Sequence, residues 1–162
     1  MPSSSLYEQT ARWLALGVPL ALLTGAYISQ YVFGLYPCEM CWWQRYPHFA
    51  AVVLAVLAFI LPFRRALVIL AAVAIAVSGA IGAFHAGVEY GWWEGLTACS
   101  LPAAAGAGND PLAAILDAPL VRCDVAPWKL FGISLAGWNF LFSLASALAI
   151  AILLNRKEKA LP

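Results

Sequence analysis

The stretch LFGISLAGWNFLFSLASALAIAILL, Leu130–Leu154, runs for 25 residues without a charge. A helix rises 1.5 Å per residue, so roughly 20 residues cross a hydrocarbon core about 30 Å thick. Three further stretches have the same character. Trp13–Val32 is 20 residues without a charge. Tyr46–Phe63 is shorter and reaches the required length when Trp42 and Trp43 are counted at its outer end. Ala66–Gly87 is uncharged and carries His85. The reading is an all-α membrane protein, a four-transmembrane-helix bundle formed by a single domain over residues 1–162, with spans at about 13–32, 43–63, 66–87 and 130–154.

Composition agrees. Hydrophobic residues make up 64% of the 162-residue chain and charged ones 10%, against about 25% charged in soluble domains. A formal net charge of +1 leaves no basic face for nucleic acid, and disorder is excluded by the same balance. Arg12, Arg64, Arg65, Arg156, Lys157 and Lys159 fall on one side of the four spans. The loops at about 33–45 and 88–129 hold Arg45, Arg122 and Lys129 with six of the eight acidic residues. The positive-inside rule therefore puts both termini in the cytoplasm and the two loops outside. Trp42, Trp43, Trp92, Trp93 and Trp128 lie in or beside those loops, as an interfacial belt would. The first apolar run is longer than the 7–15 residues of a secretory h-region, so the first helix is expected to be retained.

Small residues at helical spacing, Gly79 and Ala83 in the third span and Ser143, Ala147 and Ala151 in the fourth, suggest close helix contacts. In the second loop Asp110 and Pro111 form a helix start, and Leu112, Ile115, Leu116 and Leu120 make an apolar stripe. A short helix lying on the membrane surface is expected there.

All four cysteines fall in the outer loops: Cys38 and Cys41 in the first, Cys99 and Cys123 in the second. Outside a bacterial inner membrane the compartment is oxidising, so the pairs read as two disulfides or as one exchange system. Cys38-Glu39-Met40-Cys41 is a Cys-x-x-Cys motif, which favours exchange and a reactive thiolate. Zinc would want a second close pair, whereas Cys99 and Cys123 are far apart in sequence, and no metal is expected. Purely structural disulfides remain the main rival. Arg45 stands one helical turn after Cys41, where a cation would stabilise a thiolate; an arginine anchoring the span at the interface is the alternative. His48 and His85, near the outer ends of two spans, leave a bis-histidine haem carrier as a further possibility.

The run Pro37-Cys38-Glu39-Met40-Cys41-Trp42-Trp43-Gln44-Arg45 resembles the signature of the DsbB family of disulfide-bond formation proteins. So does His85-Ala86-Gly87-Val88-Glu89, leading to Trp92-Trp93 and Cys99, and the likeness covers the whole chain. The resemblance implies a thiol:quinone oxidoreductase of the bacterial inner membrane. A periplasmic DsbA-like thioredoxin-fold partner would deliver its dithiol to the pair Cys99 and Cys123, with Cys99 forming the mixed disulfide. Cys123 would then attack Cys38 and free Cys41 as a thiolate facing a quinone, ubiquinone or menaquinone, with Arg45 beside the ring. His85 is expected as a polar group near that quinone. The Ala/Gly-rich stretch between Cys99 and Cys123 departs from the family and leaves the docking surface open.

Overall fold

The computed structural model describes residues 6–96 and 121–156. Four helices carry the structure: α1 (Leu6–Tyr31), α2 (Glu39–Ile60), α3 (Arg64–Glu89) and α4 (Leu135–Asn155). Their 21 to 26 residues correspond to about 32 to 39 Å, and all four are long and apolar enough to cross a membrane. They form an up-down bundle in which α3 packs most extensively on α2 and α4. The outward faces carry large exposed side chains such as Val53, Leu70, Val73, Leu148 and Ile152. Such a surface would aggregate in water and is suited to lipid.

Between the helices the contacts are made by small residues. Ala11, Ala15, Ala51, Ala55, Ala58 and Ala71 are fully buried around Ile75 and Ile150. A Cβ built on Gly79 would lie 2.9 Å from Ser143 Cβ, so the expected small-residue stripes do meet at this point. Ala151, in the same predicted stripe, is exposed.

All four helix starts differ from the simple counting of uncharged residues: α1 and α3 begin earlier, at Leu6 and Arg64, and the other two shift for a capping reason. α2 begins at Glu39 because Cys38 is extended and its Sγ accepts from the Cys41 backbone N–H at 3.3 Å. The Cys-x-x-Cys motif and Arg45 are thus on the helix, which continues through Pro47 and stops before Pro62. α4 begins at Leu135 because the residues before it form a hairpin, β1 (Lys129–Leu130) paired antiparallel with β2 (Ile133–Ser134). Phe131 (φ 52°) and Gly132 (φ 78°) make its two-residue turn, and Ser134 Oγ caps α4 by accepting from Gly137 N at 3.1 Å.

Tyr90, at the end of α3, fastens this hairpin: its hydroxyl donates to Gly132 O at 3.1 Å and accepts from Ser134 N at 3.0 Å. Just beyond, the chain folds back on α3. Trp93 Nε1 donates to Phe84 O at 2.9 Å and the two rings stack at 5.7 Å. A Cβ on Gly87 would collide with the Trp93 ring, so only glycine admits that indole. The proposed surface helix at Asp110–Leu120, together with Cys99, Lys157 and Lys159, lies outside the described residues.

The close packing of α3 on its neighbours is testable. At Gly82 a Cβ would meet Ala136 O at 2.9 Å, Asn139 Nδ2 at 3.0 Å and Gln44 Oε1 at 3.1 Å. Gly82→Ala is expected to cost ~1–3 kcal/mol despite alanine's better helix propensity. Gly17→Ala, with nothing within 4 Å, should be neutral or slightly stabilising. Denaturation midpoints in detergent would show the contrast, and equal midpoints would contradict the packing.

Candidate functional site: a dithiol between two cavities

The first turn of α2 brings Cys38 and Cys41 together, with sulfurs 3.1 Å apart and the Cys38 thiol donating to Cys41 Sγ. Cys38 is buried in a cluster with Met40, Val88 and Cys123, against Phe84 and Trp43. The pairing and the burial push the Cys38 thiol well above its usual range, while His85 pulls the other way.

His85 comes from α3. Its Nε2 lies 3.6 Å from Cys38 Sγ, 3.2 Å from Cys123 O and 3.8 Å from Glu89 Oε1. Glu89 is itself buried, and its Oε2 has no partner. The three donor atoms of Cys38, Cys41 and His85 lie within 4.8 Å of one another and could hold a thiophilic ion. Their sulfurs are 3.1 Å apart, against the ~3.8 Å that two thiolates keep around tetrahedral zinc.

A cavity of about 280 Å³ opens on this side, walled by Cys38, Cys41, His85, Glu89, Val121 and Arg122. A second cavity, of about 240 Å³, lies between α1, α2 and α4; its walls are mostly apolar and include Cys41, Gln44, Arg45, His48, Trp138 and Asn139. Cys41 borders both. Arg45 also lines the second cavity, where its guanidinium donates to Gln30 Oε1 at 2.7 Å and Ala26 O at 3.3 Å. Tyr27 and Trp42 flank it, each ring centre 4.8 Å away. His85 walls the thiol-side cavity, not the one that holds Arg45.

Sequence reasoning passed over the amides that join these parts. Gln44 Nε2 donates to His85 Nδ1 at 2.9 Å, and Gln44 Oε1 accepts from Asn139 Nδ2 at 2.9 Å. Asn139 Oδ1 in turn bonds His48 Nε2 at 2.9 Å, while Ser78 Oγ donates to Gln44 O at 2.8 Å. The available signal was an uncharged polar side chain inside an otherwise apolar run, Asn139 above all. His48 and His85 sit at opposite ends of this chain, and the same cavity does not hold both.

The family model for "Disulfide bond formation protein DsbB" matches residues 8–153. A disulfide bond formation protein B of Marinobacter nauticus is 30% identical over 160 residues, covering 91% of this chain and 94% of its own. One of a Polaromonas species is 31% identical over 150 residues, covering 85% and 84%. An uncharacterized protein of Rickettsia prowazekii is 23% identical over 141 residues, covering 85% and 82%. No solved structure matches the chain significantly. With a Cys-x-x-Cys pair capping a membrane helix and a family match along nearly its whole length, the chain belongs to the DsbB family of disulfide bond formation proteins.

Proposed function

We propose that the protein is a thiol:quinone oxidoreductase of a bacterial inner membrane, with both termini cytoplasmic and the cysteines on the periplasmic side. It reoxidises a periplasmic thioredoxin-fold dithiol protein and passes the electrons to a quinone drawn from the bilayer. The observation that carries this reading is the position of Cys41, whose residue borders both the thiol-side cavity and the apolar one.

The partner's dithiol reduces the Cys99–Cys123 disulfide through a mixed disulfide at Cys99, and the partner leaves oxidised. Cys123 then attacks Cys38; the Cys38–Cys41 bond breaks and Cys41 leaves with the electron pair. The burial of Cys123 in the same cluster as Cys38 supports that step. His85, against Cys38 Sγ and the Cys123 carbonyl, holds the exchanging segment to α3.

The apolar cavity suits a quinone ring: it is largely hydrocarbon-lined, and its polar groups are few and convergent. A bound quinone supplies a sink for two electrons and two protons. Arg45 offers it a cation held in place by Gln30, Ala26 and two aromatic faces. Cys41 faces it from the head of α2, where the helix dipole favours negative charge.

The decisive assay is quinone reduction by the purified protein given a reduced thioredoxin-fold partner. Cys41→Ser should abolish it. Arg45→Ala should lower kcat/KM for quinone by at least about tenfold while leaving exchange at Cys99 and Cys123 intact, and Arg45→Lys should be milder. Unaltered quinone kinetics in Arg45→Ala would return this residue to an anchoring role.

The two thiols of the Cys-x-x-Cys pair should also differ in reactivity. A raised pKa leaves a smaller thiolate fraction at any given pH, and each unit is a factor of ten. In the reduced protein Cys38 should therefore be alkylated more than about tenfold more slowly than a free thiol at ~pH 8.5. Cys41→Ala removes the largest cause of the shift and should speed the reaction at Cys38. Mass spectrometry of iodoacetamide-treated protein would measure both rates.

A further inference from the structure

Two side-chain amides fix where the hydrogens beside the thiol pair lie. Gln44 Nε2 donates to Met40 O at 3.1 Å and Asn139 Nδ2 donates to Ser78 O at 3.2 Å. A carbonyl oxygen can only accept, and Gln44 Oε1 takes its own bond from Asn139 Nδ2 at 2.9 Å, so neither amide can be turned round. The second hydrogen of Gln44 Nε2 therefore points at His85 Nδ1, 2.9 Å away. A hydrogen on Nδ1 would meet it head-on. His85 carries its hydrogen on Nε2 instead.

That one hydrogen faces the exchanging cysteines. Nε2 lies 3.2 Å from Cys123 O, at hydrogen-bond distance, and touches Cys38 Sγ at 3.6 Å, whereas Glu89 Oε1 at 3.8 Å is too far for a hydrogen bond. The arrangement is the reverse of a metal site. A histidine that ligates a metal donates its other ring N–H to a carbonyl or carboxylate and turns a bare nitrogen to the ion. Here the nitrogen remote from the sulfurs accepts from an amide, and the nitrogen beside them carries the hydrogen. Cys38, Cys41 and His85 are near enough to surround an ion, yet the ring turns a donor toward the sulfurs rather than a lone pair.

We infer that Gln44 is a positioning residue of the thiol site: it commits His85 to donating from Nε2, so that the imidazole holds the Cys123 carbonyl beside Cys38 and is closed to metal. The inference rests on the exchange reading of the cysteines and goes beyond it. A dithiol with a histidine at its side stays available to a disulfide because the third ligand of a zinc site is withheld. Gln44 acts on the sulfurs only through His85.

Three measurements on the reduced full-length protein test this. With 15N-labelled histidine, His85 of the wild type should give the spectrum of the Nε2–H tautomer; the chain has two histidines, so His48→Leu protein assigns it. Gln44→Glu puts a carboxylate where the amide donated, which accepts from Nδ1 and leaves Nε2 bare. That variant should bind zinc at least about tenfold more tightly than wild type, with His85 Nε2 on the ion in the variant alone. Gln44→Met, which keeps the length of the side chain without its bonds, should fall short of that gain. In Cys41→Ser/Cys99→Ser protein equilibrated with glutathione, adding Gln44→Glu should make the Cys38–Cys123 disulfide about fivefold harder to form, the worth of one ordinary hydrogen bond. An Nδ1–H tautomer in the wild type, zinc on its His85, equal zinc affinities in Gln44→Glu and Gln44→Met, or an unchanged glutathione equilibrium would each overturn the role of Gln44. Should Gln44→Glu not fold, the wild-type tautomer and its response to zinc decide. None of these measurements involves quinone, so failure to reduce any quinone would overturn the proposed function and leave the tautomer as it is.

Discussion

Gln44 is the side chain on which the outer half of the bundle depends. In lipid, helices gain nothing by hiding hydrocarbon from hydrocarbon, so they are held by close packing and by polar bonds between them. Gln44 supplies the second kind at a point where three helices meet. From α2 it donates to His85 of α3 and accepts from Asn139 of α4, and its own carbonyl receives the Ser78 hydroxyl. The close approach needed for these bonds is secured by Gly79 and Gly82, where a side chain would collide with α4. Glycine spacing and amide bonding are two parts of one joint.

That joint lies at the depth of the chemistry. Gln44 is one turn of helix below Met40 and directly precedes Arg45, so locking Gln44 locks the orientation of the first turns of α2. Cys38, Cys41, Arg45 and His48 all hang from those turns, and the relative positions of thiol pair, cation and imidazole follow from one set of bonds. The other half of the bundle is packed on buried alanines. Specific geometry is concentrated where sulfur must meet its reaction partners.

Much of this could be read from the residues. Uncharged runs give the four helices because lipid leaves the chain so few alternatives. The Cys-x-x-Cys pair and Arg45 stood out because reactive and charged groups are rare in a chain with 10% charged residues. Helix starts were less legible. Counting uncharged residues puts Cys38 in a loop, whereas its sulfur takes the part a serine oxygen usually plays at a helix start. Leu130–Ser134 reads as membrane span, yet Gly132 and the capping serine turn it into a hairpin. The partners of His85 were hidden for another reason. Nothing in sequence spacing says that Gln44 and Asn139, 95 positions apart, share a bond; only the packing of α2 on α4 does.

The position of Cys41 on the walls of both cavities has a wider consequence under the proposed reaction. A single sulfur then works as a phase-transfer junction. Electrons that the partner delivers at Cys99 reach the lipid-borne oxidant through Cys123, Cys38 and Cys41, so the partner and the oxidant need not fit each other. The dithiol protein and the ring can accordingly change independently in evolution, because under the proposed reaction they meet different cysteines.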